Sequence, residues 1–402
     1  MELFLIFGVI GAIVAAVGPQ TMGGRITGAV LGVVVGGLIG YIFMPTLGWG
    51  YLGIILYLLI LGVVGLVVSF VENENAPNNK GPVIAGSLTG GILGVALFLT
   101  FFTSGAIFHA NNYRDIIGDV LVSEFSGDVS PVDITSVRTV SQDLARLVGE
   151  KRLGEIAGLG SRVDLGTMNI QAINGCFTVE DPDGAQKILC YENELFWAAP
   201  LVHSGIFKQW GNGSTPGYIM VSATDASDVV MVTGLVETEE AGNGNRRMGA
   251  ATGTSPNKLE LRYFDDGGYF GYNLTRHLRT NGYLTTGITD YAFEVRDDGR
   301  PFWVVTRYSK RVGFAGSDAT GVVTVDAQSG DIRDYTSAEA PAWIDRIQPH
   351  TFVRTQLDDW GEYVHGWWNF ANKDKVTSTD GISLVFGADG RAYWYTGLQS
   401  VG

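Results

Sequence analysis

The chain has 402 residues, a length that accommodates two or three domains. Its 27 Lys and Arg stand against 41 Asp and Glu, a formal charge of −14 that argues against a surface built to grip nucleic acid. Two cysteines are too few for a disulfide-scaffolded mini-protein or a four-cysteine zinc module. The hydrophobic fraction of 46% averages two different regions.

Residues 1–108 read as an α-helical transmembrane domain of four helices. No charged residue lies between Ile26 and Val71 or between Gly81 and Phe108. The apolar runs cover residues 3–18, 26–44, 47–71 and 83–108. A bilayer core takes roughly 20 apolar helical residues, which the second to fourth runs supply. The first run is short before Pro19, and a cleaved signal peptide is the competing reading. It lacks a basic flank, with Glu2 its only nearby charge, so it is read as an uncleaved helix. Trp49 and Tyr51 flank the second connection, where amphipathic rings favour the membrane interface.

Glycine recurs every four residues at Gly24, Gly28, Gly32, Gly36 and Gly40, and again at Gly86, Gly90 and Gly94. Small residues at this spacing let helix backbones approach closely in lipid. Two uses follow: packing within the chain, or a homo-oligomer through the transmembrane helices. Intramembrane polarity is limited to hydroxyls such as Thr27, Ser69, Thr89 and Thr103, without the acids, bases or histidines of most ion pathways. The domain therefore reads as an anchor or assembly unit, with a glycine-rich channel or transporter as an alternative. Arg25 and Lys80 lie in the first and third connections, which the positive-inside tendency assigns to the cytoplasm. The chain is then an integral protein of the cytoplasmic membrane, with everything after residue 108 extracytoplasmic.

Residues 109–140 read as a linker. Beyond it the sequence predicts an α+β soluble region of repeated helix–antiparallel-sheet modules at 141–235, 259–336 and 341–402. Two segments alternate around Asp-Gly turns, Tyr291–Tyr308 and Ile382–Thr396, and share Asp-Gly-Arg-x-aromatic-Trp at an offset of 91 residues. Such alternation is a strong hairpin signal. The first copy is divergent: Leu195-Phe-Trp-Ala198 matches Pro301-Phe-Trp-Val304, and its turn is Asp181-Pro-Asp-Gly184. Cys176 and Cys190 flank that turn. They stand as a candidate cross-strand disulfide in an oxidising compartment, or as two small buried residues in a reducing one. Helical spacing predicts a helix before each hairpin, over Ser141–Leu153, Tyr272–Thr280 and Thr351–His365. The third copy has no third strand after Trp394. Truncation of the sequence is one reading, and an edge covered by other means is the second.

The second copy ends Gly321-Val-Val-Thr-Val-Asp-Ala-Gln-Ser-Gly-Asp-Ile332. This resembles the PepSY module, in which a strand runs into Val-Asp-x-x-Thr/Ser-Gly-x-Ile. The match covers roughly 50 residues and is degenerate in the first copy, where Ser222 replaces the Asp. The resemblance implies an extracytoplasmic domain acting in protein contact, peptidase inhibition or envelope regulation.

Chemistry is sparse. His109, His203, His277, His350 and His365 show no metal-ligand spacing, and no nucleophile elbow or phosphate loop is present. The Asp-Gly runs lack the third oxygen and closing Glu of an EF-hand, so neither a metal nor another cofactor is expected. The densest aromatic segment, Trp360–Phe370, makes Trp360, Tyr363, His365, Trp367 and Trp368 a candidate binding surface. The leading expectation is a membrane-anchored protein whose modules bind a protein or envelope partner, with the lipid bilayer as its other partner. A hydrolase or glycan-active enzyme centred on Glu362 and His365 is the alternative.

Overall fold

The computed structural model describes residues 2–17, 19, 21–75, 80–121, 138–156, 158–236, 257–386 and 392–401. Three helices are long and apolar enough to cross a membrane: α2 (Met22–Phe43), α3 (Leu52–Asn75, apolar to Val71) and α4 (Gly81–Ser104). Thr21 caps α2 by accepting a hydrogen bond from the Gly24 N–H at 3.0 Å. The expected first span is shorter than the run 3–18. Helix α1 (Glu2–Ala15) has 14 residues, about 21 Å at 1.5 Å per residue, against a core of about 30 Å. Helix α4 ends at Ser104 rather than 108, because Gly105 adopts an extended conformation there.

The expected linker, read as extended or partly helical, is helical where it begins. Residues 106–114 form α5 (Ala106–Arg114), followed by a single 3-10 turn at Asp115–Ile117. Non-helical dihedrals at Gly105 and His109 turn α5 out of the line of α4. The Tyr113 hydroxyl accordingly donates back to the Ser104 carbonyl at 2.5 Å. Residues 122–137 of the linker lie outside the described residues.

The soluble part begins with α6 (Gln142–Gly154), which Ser141 caps. Strands β1 (Val163–Leu165), β2 (Asn169–Glu180) and β3 (Gln186–His203) follow. After α7 (Ile206–Asn212) come β4 (Tyr218–Ser222), β5 (Val229–Val232), β6 (Gly234–Val236) and β7 (Asn257–Lys258). They form one antiparallel sheet in the order β5-β4-β3-β2-β6-β7, with β1 added to the end of β3. The second sheet is a meander of β8 (Gly287–Val295), β9 (Pro301–Val312), β10 (Ala315–Asp326) and β11 (Ile332–Thr336). The helix expected at 272–280 is reduced to α8 (Leu274–Leu278), since residues 279–283 wind more widely and turn at Gly282.

The two sheets share one core. Ile173, Phe196, Tyr218 and Met220 of the first pack with Phe293, Trp303, Val305 and Val323 of the second, and Leu274 and Leu278 of α8 join them. The tip of the β8–β9 hairpin enters this contact. A Cβ at Gly299, whose φ is +84°, would lie 2.7 Å from the Phe177 ring, so no side chain fits there. The outer face of the first sheet is covered by α6, with Ala145 and Leu153 against Ile219 and Leu201.

The last segment is α9 (His350–Glu362), three residues shorter than the expected helix to His365, because the chain turns at Tyr363–Gly366. Two short ladders follow. Strand β12 (Val376–Ser378) pairs with β15 (Leu398–Ser400), and β13 (Ser383–Phe386) pairs with β14 (Ala392–Tyr395). The Thr379 N–H donates to the Gly397 carbonyl between them at 2.8 Å, so they are two halves of one bent hairpin. The residues after Trp394 return to β12 instead of adding a third strand beside the hairpin.

Membrane helices and soluble region touch directly. The Leu47 N–H donates to the Leu284 carbonyl at 2.9 Å, and the Tyr51 hydroxyl donates to the Tyr308 carbonyl at 2.7 Å. Arg279, 7% exposed, donates to Thr46 Oγ1 at 2.6 Å and to the carbonyls of Tyr283 and Thr286. At the exit of α4, the Phe314 N–H donates to Ser104 Oγ at 2.7 Å.

Candidate functional site

The glycine positions separate into two sets. Gly28, Gly32, Gly36 and Gly40 are buried, whereas Gly24 lies nearer the helix end and is half-buried. A Cβ at Gly32 would stand 2.1 Å from the Gly11 carbonyl oxygen of α1, and one at Gly40 2.0 Å from the Phe7 ring. That face is filled by α1 of the same chain. On α4, a Cβ at Gly86 would meet only Leu66 at 3.6 Å, and Gly90 and Gly94 have nothing within 4 Å. The hydroxyls of Ser69, Thr89 and Thr103 each donate to the carbonyl four residues earlier, at 2.8, 2.9 and 2.7 Å. They are satisfied inside their own helices.

Cys176 and Cys190 are directly opposite across the β2–β3 ladder and form a disulfide. Asp181 Oδ1 accepts the N–H groups of Asp183 and Ala185 at 3.0 and 2.9 Å, which is turn chemistry. Among the described residues no group of His, Cys, Asp or Glu is arranged to hold a metal.

The aromatic candidates fall into two groups. Trp360 and Tyr363 are half-buried, and the Tyr363 ring lies 6.1 Å from Tyr113 of α5. Trp367, Trp368 and Phe370 form an edge-to-face cluster, with centroids 4.8, 5.6 and 5.7 Å apart. Trp368 and Phe370 are 70% and 71% exposed. His365 Nε2 pairs with Asp374 Oδ2 at 2.8 Å, and that hydrogen bond holds the Asp374 carboxyl below its usual range. Glu362 Oε1 accepts from Lys375 Nζ at 2.6 Å. Glu362 and His365, considered for hydrolysis, are thus committed to separate ion-pair partners. Burial, with Asp358 and Glu362 nearby, pushes Asp359 up to about 6.

A second site has no local sequence motif. A cleft of about 340 Å³ opens where both large sheets meet the last hairpin, lined by Arg138, Trp197, Asp290, Arg346, Ser383 and Trp394 among others. Trp197 is held by an indole hydrogen bond to the Val140 carbonyl at 2.9 Å, and Arg138 lies over its ring at 5.9 Å. The Trp394 indole donates to the Gln348 carbonyl at 2.8 Å. Asp290 has a φ of +52° at a bulge in the β8–β9 register, and its Oδ2 is buried without a hydrogen-bond partner. Arg346 donates from Nη2 to Asn169 Oδ1 at 2.8 Å, while its Nε is buried without a partner.

Beside the cleft lies a fixed polar cluster. Glu294 accepts the Asp345 N–H at 3.2 Å, and Asp345 accepts the Ala172 N–H at 2.7 Å. Gln171 exchanges two hydrogen bonds with the Val295 backbone. Burial pushes Glu294 up to about 7 against the opposing pull of Arg346, and burial beside Glu294 raises Asp345 well above the usual range. These bonds join β2, β8 and residues 345–346 into one support. Compared with known proteins, the chain matches no family model, no curated protein and no solved structure.

Proposed function

We propose that this chain is a membrane-anchored extracytoplasmic recognition protein. Its PepSY-like sheet units bind a protein partner in the cleft between the three sheets. The observation that carries this reading is the cleft itself, which sets Asp290 and Arg346 beside the indoles of Trp197 and Trp394, with Asp290 Oδ2 and Arg346 Nε lacking a partner among the described residues. As cleft-lining residues, Asp290 and Arg346 offer acceptor and donor groups to a bound chain with its own N–H and C=O groups, each such hydrogen bond contributing about 1 kcal/mol. The indole rings add flat apolar walls of the kind that dominate interface energetics.

The orientation is supported from two sides. Arg25 and Lys80 stand at the ends of α2 and α4 remote from the soluble region, and the uncharged 44–51 connection meets that region. A cytoplasmic place for the two basic residues puts the sheets outside, where the Cys176–Cys190 disulfide is chemically at home. A photo-crosslinking residue at Ser383 in native membranes tests the cleft. A specific adduct that Arg346→Gln and Trp394→Ala abolish, with unfolding temperature unchanged, is expected. No adduct at Ser383, with adducts at control positions on α6, would overturn the reading.

A further inference from the structure

The cleft does not use the aromatic cluster of half-buried Trp367 and exposed Trp368 and Phe370, and the position of that cluster suggests a different occupant. Helix α5 folds back on the end of α4. Its Tyr113 hydroxyl bonds the last residue of α4, and its Phe108 ring folds back on Phe101 and Phe102 at 5.5 and 5.4 Å. These three phenylalanines are about half exposed and continue the apolar surface of a spanning helix. The C-terminal end of α9 packs on this α5 through Tyr363 and Tyr113. The cluster begins four residues later. A second aromatic, Trp49, is 80% exposed in the connection on the same side, with its ring 5.6 Å from Phe314.

We infer that Trp367, Trp368 and Phe370 insert into the headgroup–acyl boundary of the same bilayer that α2–α4 cross. The occupant is lipid because the patch follows directly on the contact of α9 with α5, and α5 adjoins the exposed phenylalanines at the end of α4. Its composition also fits: tryptophan carries an apolar ring and a polar N–H, which suits it to a zone that is apolar below and wet above. His365, Asp374 and Lys373 are exposed at its border, where these polar groups remain in the headgroup layer.

Full-length protein reconstituted in phosphatidylcholine–phosphatidylglycerol vesicles tests this. The chain has nine tryptophans, so the signal of two is isolated by comparing wild type with Trp367→Phe/Trp368→Phe, which keeps rings at both positions. The emission lost in the variant is expected to be quenched by about half or more by lipids spin-labelled near the headgroup, and little by acrylamide. Trp368→Phe alone, at a site 70% exposed, gives the same reading if the double variant folds poorly. Equal acrylamide quenching in vesicles and in detergent, with no response to the labelled lipids, would overturn the inference and leave the patch for a soluble protein. Because no cleft partner is present, this result stands apart from the crosslinking test.

Discussion

Helices α2 and α4 carry the same four-residue spacing of glycine and use it in opposite ways. On α2 the glycines remove every obstacle between two backbones, and α1 occupies the space. On α4 the same spacing leaves a smooth face at Gly90 and Gly94 that no described residue fills. The spacing is thus a permission for close approach, and the partner is set by which helix the connections bring alongside. The turn between α1 and α2 is short enough to fold them together. Between α3 and α4, contact runs through Gly62 and Thr89, where a Cβ at Gly62 would lie 2.7 Å from the Thr89 hydroxyl, and not along the Gly90 side.

The largest expected effect breaks or keeps this contrast. Gly32→Leu should destabilise the helical domain by about 3 kcal/mol or more, because its Cβ meets a backbone oxygen that cannot yield. Gly90→Leu should stay within about 0.5 kcal/mol. Thermal unfolding in detergent compares the two, and equal losses would end the distinction. The contrast between partnered and open groups extends to the soluble region. Cys176→Ser/Cys190→Ser should cost about 3 kcal/mol for a loop of 14 residues. Reductant should lower the unfolding temperature of the wild type and leave the double variant unmoved.

Arg279→Met removes three hydrogen bonds from a buried guanidinium and should cost about 2 kcal/mol. It should also loosen the joint with the 44–51 connection, seen as faster proteolysis between the two regions. A smaller effect is expected from Glu294. Its folded-state value of about 7 exceeds the ordinary 4.5, so the folded protein holds a proton that the unfolded chain releases. This contribution is full below the ordinary value and is lost as pH rises from 4.5 toward 7. Glu294→Gln should flatten that slope, gaining about 1–2 kcal/mol at pH 8 relative to wild type. Chemical denaturation across pH reads it, and a parallel slope in the variant would assign the effect to Asp345 alone.

Much of the local structure was legible. The Asp-Gly turns placed the first two hairpins, the third ladder pairs across residues 387–391, which lie outside the described residues, and the strand register put Cys176 opposite Cys190. The break at Gly105 was not legible, because an apolar run continues through Phe108 and composition does not report a change of direction. Nor was the return of residues 398–400 to β12, a pairing made on the far side of an irregular step. The face-to-face contact of the two large sheets needs the Gly299 turn to dock beside Phe177, a long-range fit that periodicity cannot encode. The aromatic surface was visible as a cluster, but its division between half-buried Trp360 and Tyr363 and exposed Trp368 follows from where α5 lies. The cleft residues come from distant segments and carry no shared spacing, so only the fold brings them together.

The joint between the sheets and the membrane helices engages two helices, α2 through the Arg276–Tyr41 hydrogen bond and the 44–51 connection, and α4 through Ser104. A body held at one point swivels like a weathervane; a body held at two keeps one heading and one height above the bilayer. The cleft then presents itself at a constant elevation, so a partner confined to the same membrane searches a plane and not a volume. A weak contact becomes sufficient for such a partner, and a freely diffusing competitor of equal intrinsic affinity is at a disadvantage.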